Sequence, residues 1–427
     1  MALALILFLV LLICGAPIVF ALGVSSLAIL TLIMEVPVAI VAQRMYAGLD
    51  SFMIMAIPFF VFAGLVMDAG GISRRIVALA EALVGWITGS VLLVSVVAST
   101  GLAAISGSGS ADTAAISSIM QPVVRKRRYD VDFAAAVIAA GGSLASVIPP
   151  SLLMVVIAAI ANVSVGQLFL AGVLPGLLTA FGLLTLCYVF ARRGGPQYLP
   201  TEAFSLQRLR SSFVDALPAI GMPAIVVGGL VGGAFTPTEA AAIAVFYGMI
   251  VGLFVYRELK FSAIVPLILR ASAVSASVMI ILASAAVFSW LVSAAQIPAA
   301  LQGLLRSISD SPWTFLLFVN ILLLVVGMFM ESIAAILILV PMLLPMAVGY
   351  GIDPVHFCLV VVFNLTIGLI TPPYGIALYV AATVAGRSIM QVARRIVGPV
   401  LVMLAVLILI TYVPSVGLAL PRLLMGT

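Results

Sequence analysis

The chain has 427 residues, 65% of them hydrophobic and 8% charged, with a formal net charge of +5 and a mean hydropathy of +1.38. Soluble domains carry about 25% charged residues, so this composition excludes a soluble enzyme and specifies a polytopic membrane protein. A transmembrane β-barrel is excluded as well, because its alternating polar lumen would interrupt the long apolar runs, and helices remain as the only spanning structure. At roughly 20 residues per span plus short loops, the length allows about 10 to 12 spans. The positive charge sits in short loops between apolar runs and reads as a topology determinant, with no nucleic-acid partner implied.

In chain order, Ala2 to Ile33 is apolar but interrupted by Gly15-Ala16-Pro17, and reads as one kinked helix or two short ones. The N-terminus reads as an uncleaved first membrane segment, since Cys14 lacks the small residues and basic flank of a lipoprotein signal. Cys14, Cys187 and Cys358 stand alone in apolar runs and are expected in the core. Glu35 to Asp50 is more polar and fits an interface. Phe52 to Met67 is a span ending at the turn signal Asp68-Ala69-Gly70-Gly71, and Ile76 to Trp86 is amphipathic. A broken region runs from Gly89 to about Ala161, followed by a span from Leu168 to Phe190. Gly194 to Asp215 is the one long polar linker. Spans follow at about Ala216–Gly233, Thr238–Tyr256 and Ala271–Ala294, then a second broken region from Trp313 to Ala385 and a last span at about Val400–Val413.

The two broken regions share a skeleton. Pro122, Asp130, Pro149 and Pro150 recur at one constant offset as Pro345, Asp353, Pro372 and Pro373, which marks an internal duplication. Each region is read as a re-entrant hairpin followed by an interrupted span, with the loop Arg125-Lys126-Arg127-Arg128 in the cytoplasm. Of the 19 basic residues, all but Arg44, Arg306 and Arg422 then fall at cytoplasmic ends. The matching loop of the second copy, Met346 to Ile352, has no basic residue, as an inverted-topology repeat requires. The expected fold is therefore an all-α polytopic membrane protein. Residues 1–193 form a first inverted repeat, 194–215 a cytoplasmic linker and 216–427 a second repeat, each repeat holding one hairpin and one broken helix.

A Pro-Pro pair removes backbone donors and frees carbonyls, which inside a bilayer survives only within protein or beside a polar cavity. Glycine in Ser106-Gly107-Ser108-Gly109-Ser110 allows a tight tip, and serine supplies hydroxyls. A hairpin tip set against a helix break gathers carbonyls, hydroxyls and half-helix ends, a donor set suited to a small cation such as sodium and to an anionic substrate group. Two copies predict two cation sites flanking a substrate cavity. Asp112, after the first tip, and Glu331, in the second, are candidates for function or for helix caps. Glu239 reads as a helix start, and His356, the sole histidine, as an interfacial residue or a proton relay. One histidine excludes a histidine metal cluster, so no transition metal and no other cofactor is expected.

These residues resemble a known family. The segments GLDSFMIMAIPFFVFAG, GGISRRI, AISGS with the following AD, IPPS, GGAFTPTEAAA, YRELK, GMFMESIAAILILVP, GIDPVHF and GLITPPYGIAL cover nearly the whole chain in order. They are similar to the large membrane (permease) subunit of tripartite ATP-independent periplasmic (TRAP) transporters. The resemblance implies an elevator-type secondary transporter of the bacterial inner (cytoplasmic) membrane, coupled to sodium ions. It implies two partners, a small four-helix membrane subunit and a periplasmic solute-binding protein that delivers an organic acid. The small subunit is expected as a separate chain, since no further four-helix block precedes Met1. Carried over by motif, the first sodium site falls on Ser106, Ser108, Ala145, Ile148 and Pro150, and the second on Gly327, Gly368, Thr371 and Tyr374. Ser110, Asp112, Ser151, Glu331, Ser332, Pro372 and Pro373 are the substrate-cavity candidates. Ala145 replaces the family's usual glycine, which a carbonyl ligand tolerates, and Glu331 replaces its usual aspartate.

Other functions fit less well. A membrane-embedded hydrolase would need a histidine within reach of Gly141-Gly142-Ser143, and neither HExxH nor a P-loop occurs. A channel would favour a continuous polar pore over paired breaks. The remaining alternative is a sodium/dicarboxylate symporter that acts without a binding protein.

Overall fold

The computed structural model describes residues 7–8, 10–11, 14–200 and 203–426, and every regular element among them is helical. Most of the Ala2–Ile33 segment before Cys14 lies outside the described residues. Beyond the turn at Gly15 (φ +80°), a new helix begins behind Pro17, α1 (Ile18–Leu32), followed by α2 (Val38–Ala47). Cys187 and Cys358 are buried as expected, whereas Cys14 is exposed beside this turn.

Helix α3 (Ala56–Ala69) meets α4 (Ile72–Val84) at 66°. Gly71 takes the left-handed conformation at this corner, and the Glu258 carboxylate occupies the space a side chain there would need. Arg75 donates to Glu258 at 2.8 Å and lies 3.6 Å over the Tyr256 ring. The GGISRRI and YRELK segments are thus two halves of one corner.

The first broken region forms a hairpin, α5 (Ser90–Ser106) and α6 (Gly109–Lys126), then α7 (Val131–Ser143), a single 3-10 turn at Leu144–Ser146, a break, and α8 (Leu152–Ala161). After α9 (Val165–Arg193) come α10 (Leu206–Val231), α11 (Pro237–Ile250) with a π turn at Val251–Val255, α12 (Phe261–Ala294) and α13 (Ile297–Ile308). The second hairpin is α14 (Pro312–Phe329) and α15 (Ser332–Gly349), and the second broken helix is α16 (Pro354–Gly368) and α17 (Ile376–Val384). The chain closes with α18 (Ile389–Tyr412) and α19 (Pro414–Met425).

The duplicated residues have matching jobs. Asp130 accepts from the Asp132 and Phe133 amides and Asp353 from the His356 amide, so each caps the helix that leads to a break. Both Pro-Pro bonds are cis, and Pro122 and Pro345 lie inside the second arm of their hairpins. Each half-helix beyond a break packs on the other repeat, α8 on α15 and α16, α17 on α6 and α7. The centre is α7 and α16, in which every residue from Phe133 to Ser143 and from Val355 to Gly368 is buried. Peripheral helices expose Phe181, Phe246, Phe254, Phe261 and Leu401, side chains that a lipid environment accepts without cost.

Among the described residues, seven helices are long and apolar enough to cross a membrane unbroken, or eight if the bent α3–α4 pair is one span. The apolar helices α5, α7, α8 and α16 are shorter, being one hairpin arm and three half-helices beside the breaks. The second half of the polar linker is the first turns of α10, capped by Ser205 and tied to α4 by Arg208–Glu81 at 2.8 Å. Helix α12 starts well before Ala271, because Pro266 removes one hydrogen bond without ending it and Arg270 is exposed. Helix α18 starts at a Ser388–Gln391 capping box, and its early Arg394 and Arg395 remain outward.

Residues assigned to the cytoplasmic side are mutual neighbours. Arg387 pairs bidentately with Asp132 at 2.6 and 2.8 Å, Arg395 with Asp130 at 2.9 Å, and Arg125 donates to the Ala385 carbonyl at 2.5 Å. At the opposite assignment, Arg306 donates to the Gly349 carbonyl in the neutral loop at 2.8 Å.

Candidate functional site: two tip–break junctions

The first tip turns at Gly107 (φ +66°) between α5 and α6, and its carbonyl accepts from the Leu152 amide at 3.4 Å. A Cβ on Gly107 would lie 2.6 Å from the Pro150 carbonyl oxygen, so tip and break are in direct backbone contact. Ser106, Ser108, Ala145, Ile148 and Pro150 are thereby gathered into one junction. Ser106 Oγ accepts from the Ser108 amide at 3.2 Å and donates to the Asp112 carboxylate. Among the described residues, nothing donates to the Ile148 and Pro150 carbonyls. Residues 141–151 are buried throughout. Two carbonyls without donors beside two hydroxyls make an all-oxygen set, the hard donor chemistry a small cation takes.

The second junction repeats the arrangement with different contacts. Tyr374 donates its amide to the Met328 carbonyl at 3.2 Å, and a Cβ on Gly368 would lie 2.6 Å from the Gly327 carbonyl oxygen. This brings Gly327, Gly368, Thr371 and Tyr374 together. The Thr371 hydroxyl donates to Ile367 at 2.7 Å, which leaves its lone pairs outward, and among the described residues nothing donates to the Gly327 and Thr371 carbonyls. Unlike the first break, the second is open, with Pro373 and Tyr374 exposed and Pro372 half-buried. The Leu369 side chain reaches the Gly109 backbone, so the two junctions share a wall.

The substrate-cavity candidates divide by what their side chains already do. Ser151 caps α8, accepting from the Met154 amide at 3.3 Å and donating to the Ser146 carbonyl at 2.7 Å. Glu331 caps α15 by accepting from the Ala334 amide at 3.1 Å. Asp112 is no cap, because its contact is the Ser106 hydroxyl across the tip. Its second carboxylate oxygen is buried without a partner among the described residues. Ser110 is half-buried on α6, and Ser332 is buried. Replacing Ser151 by alanine removes a cap and is expected to cost about 1–2 kcal/mol. The check is a lower melting temperature in detergent with uptake retained; normal melting with lost uptake would instead put Ser151 on the substrate path.

Glu239 forms a capping box with Thr236 at the start of α11. His356 is buried rather than interfacial, its Nε2 lying 2.8 Å from the Ile410 carbonyl. A cavity of about 220 Å³ between α4, α5 and α6 has apolar walls with Glu81, Ser90 and Arg127 among its lining residues, and contains none of the junction residues.

The sequence reading missed a polar cluster behind the second junction. Asn364 donates through Nδ2 to the Asn320 carbonyl at 3.2 Å and to Asn320 Oδ1 at 2.9 Å, and Asn320 Nδ2 donates to Thr411 Oγ1 at 3.1 Å. Amides in the apolar runs of α14 and α16 were the available signal, but no partner residue recurs at the repeat offset to draw attention to them.

Residues 5–416 match the family model described as tripartite ATP-independent periplasmic transporter, DctM component. The chain belongs to this family. It is 41% identical over 419 residues to the uncharacterized protein YgiK of Salmonella typhimurium, covering 97% of this chain and 96% of that one. It is 40% identical over 405 residues to the isethionate TRAP transporter permease protein DctMQ of Oleidesulfovibrio alaskensis, covering 95% of this chain and 64% of that longer protein. Among solved structures, the YdaH transporter of Alcanivorax borkumensis, described as having an unusual topology, superposes with a TM-score of 0.60 over 86% of both chains. At 16% identity that likeness concerns the fold alone. The chain is thus a large TRAP permease subunit, a multi-pass helical membrane protein whose family works with a small membrane subunit and a periplasmic binding protein.

Proposed function

We propose that this permease imports an organic acid across the bacterial inner membrane, driven by sodium, after delivery by a periplasmic solute-binding protein. The carrying observation is the duplicated tip–break junction, in which carbonyls without donors meet at both Pro-Pro breaks. Sodium ions act as co-substrates at the two junctions, and no further cofactor is required. Half-helix ends and the open second break receive the organic anion between them. The hairpins and broken helices of residues 1–193 and 216–427 move as one body against the remaining helices, in an elevator motion. Residues 194–215 connect the repeats on the cytoplasmic side. A small four-helix membrane subunit holds the scaffold in the bilayer.

The test is uptake of radiolabelled organic acids into proteoliposomes under an inward sodium gradient. The permease is assayed alone, with its small subunit, and with both partners. Uptake only with both partners and sodium supports this reading. Uptake by the permease alone makes it a self-sufficient symporter, and sodium independence removes both cation sites.

A further inference from the structure

The Asn320–Asn364 pair joins the first arm of the second hairpin to the first half of the second broken helix. Asn364 is fully buried, Asn320 is 7% exposed, and Thr411 on α18 completes the chain of contacts. Asn364 stands one helical turn before Gly368, and Asn320 about two turns before Gly327. Helices α14 and α16 therefore touch at two levels, an amide pair below and a glycine–glycine contact at the junction. The first repeat has no amides here. Gly141, at the position equivalent to Asn364, lies against Ser99, so close packing of small residues does the same work there.

We propose that Asn320 and Asn364 are positioning residues for the second cation site, setting the axial register of α14 on α16. The inference rests on the sodium reading above. The contacts of this buried amide pair form in one register only, and Asn364 Oδ1 has no partner among the described residues even there. Sliding α14 by one turn, about 5.4 Å, would leave three donor–acceptor contacts unmade where no water replaces them. A single buried asparagine fixes axial register in coiled coils by the same logic. Only in the observed register does the Met328 carbonyl reach the Tyr374 amide and Gly327 seat on Gly368. The amides touch no cation. Instead they decide where the tip carbonyls point. Thr411, and the contact between His356 and the Ile410 carbonyl one residue earlier, extend the same registration to α18.

The experiment titrates sodium against choline chloride, at constant ionic strength, into the purified permease with its small subunit, reading thermal stabilisation by the bound ion. Asn364→Ala is expected to raise the sodium concentration for half-maximal stabilisation about three- to fifteen-fold, the range that membrane-buried side-chain hydrogen bonds control. The double variant Asn320→Leu/Asn364→Leu leaves no orphan amide and keeps the contact filled, and its shift should be similar. It also keeps the proposal testable if the single variant does not fold. A purely structural role would lower melting in choline without moving the sodium midpoint. A double variant that titrates like the unsubstituted permease would overturn the proposal and leave the sodium reading standing. Absence of sodium stabilisation in the unsubstituted permease would remove both.

Discussion

Replacing Gly368 by valine is expected to abolish sodium-driven uptake, by more than about 100-fold, while the chain still inserts and folds. Even the first added carbon would lie 2.6 Å from the Gly327 carbonyl oxygen and 2.7 Å from its carbon. These are backbone atoms of α14, so the contact is relieved only by moving the hairpin tip off the break. Overpacking of this kind costs about 1–3 kcal/mol in well-packed cores, so Gly368→Ala should already lose about tenfold or more. The added branches of valine enlarge that displacement. Gly327→Ala is the graded comparison, because its Cβ would stand 3.3 Å from the Gly368 Cα and needs only a small adjustment. Gly228, on α10, has nothing within 4 Å of the same position, and Gly228→Ala should be neutral or stabilising by up to about 1 kcal/mol. Uptake at saturating sodium, with melting temperatures of the purified variants, ranks the series. If Gly368→Ala transports within twofold of the unsubstituted permease, close tip–break contact is not needed for coupling.

The junctions were legible because their chemistry is local and duplicated. Pro149-Pro150 and Pro372-Pro373 announce helix breaks whatever surrounds them, and their shared offset with Asp130 and Asp353 ties each break to a capped helix start. Gly107 between two serines likewise declares a turn. Composition placed the chain in a membrane, but hydropathy does not separate a crossing helix from a hairpin arm. Boundaries failed where polar residues sit in helices outside the lipid, as at Arg208 in α10 and Arg394 in α18. Short helices such as α13 and α19 were missed because the apolar pattern there is too brief to tell from a loop edge. The caps at Ser151 and Glu331 illustrate another limit. A polar residue near a break suggests ligand chemistry, and only the structure shows which hydrogen bonds it already makes. Asn320 and Asn364 stand out as amides in apolar runs, but their pairing was not legible because 44 residues of sequence separate the two partners.

Asp112→Asn separates charge from hydrogen bonding at the first junction. The carboxylate is 1% exposed, accepts the Ser106 hydroxyl through one oxygen, and keeps the other without a partner among the described residues. Asparagine retains an acceptor for Ser106 and removes the charge, while placing an amide donor where the unpartnered oxygen stood. At an effective dielectric of about 20, an ionised carboxylate beside a cation in this junction contributes roughly 1–3 kcal/mol, or about 10- to 100-fold in affinity. The expected result is a 10- to 100-fold rise in the sodium concentration for half-maximal uptake, with maximal uptake recovered at high sodium. Stability should move the other way. A buried charge without a counter-ion is costly, so the variant in choline should melt at or above the unsubstituted permease and gain less on adding sodium. Asp112→Ala, which also strands the Ser106 hydroxyl, should lose both sodium affinity and stability. An Asp112→Asn permease with an unchanged sodium midpoint would make Asp112 only the acceptor that holds Ser106 in place, and the first site would then bind its ion through carbonyls and hydroxyls alone.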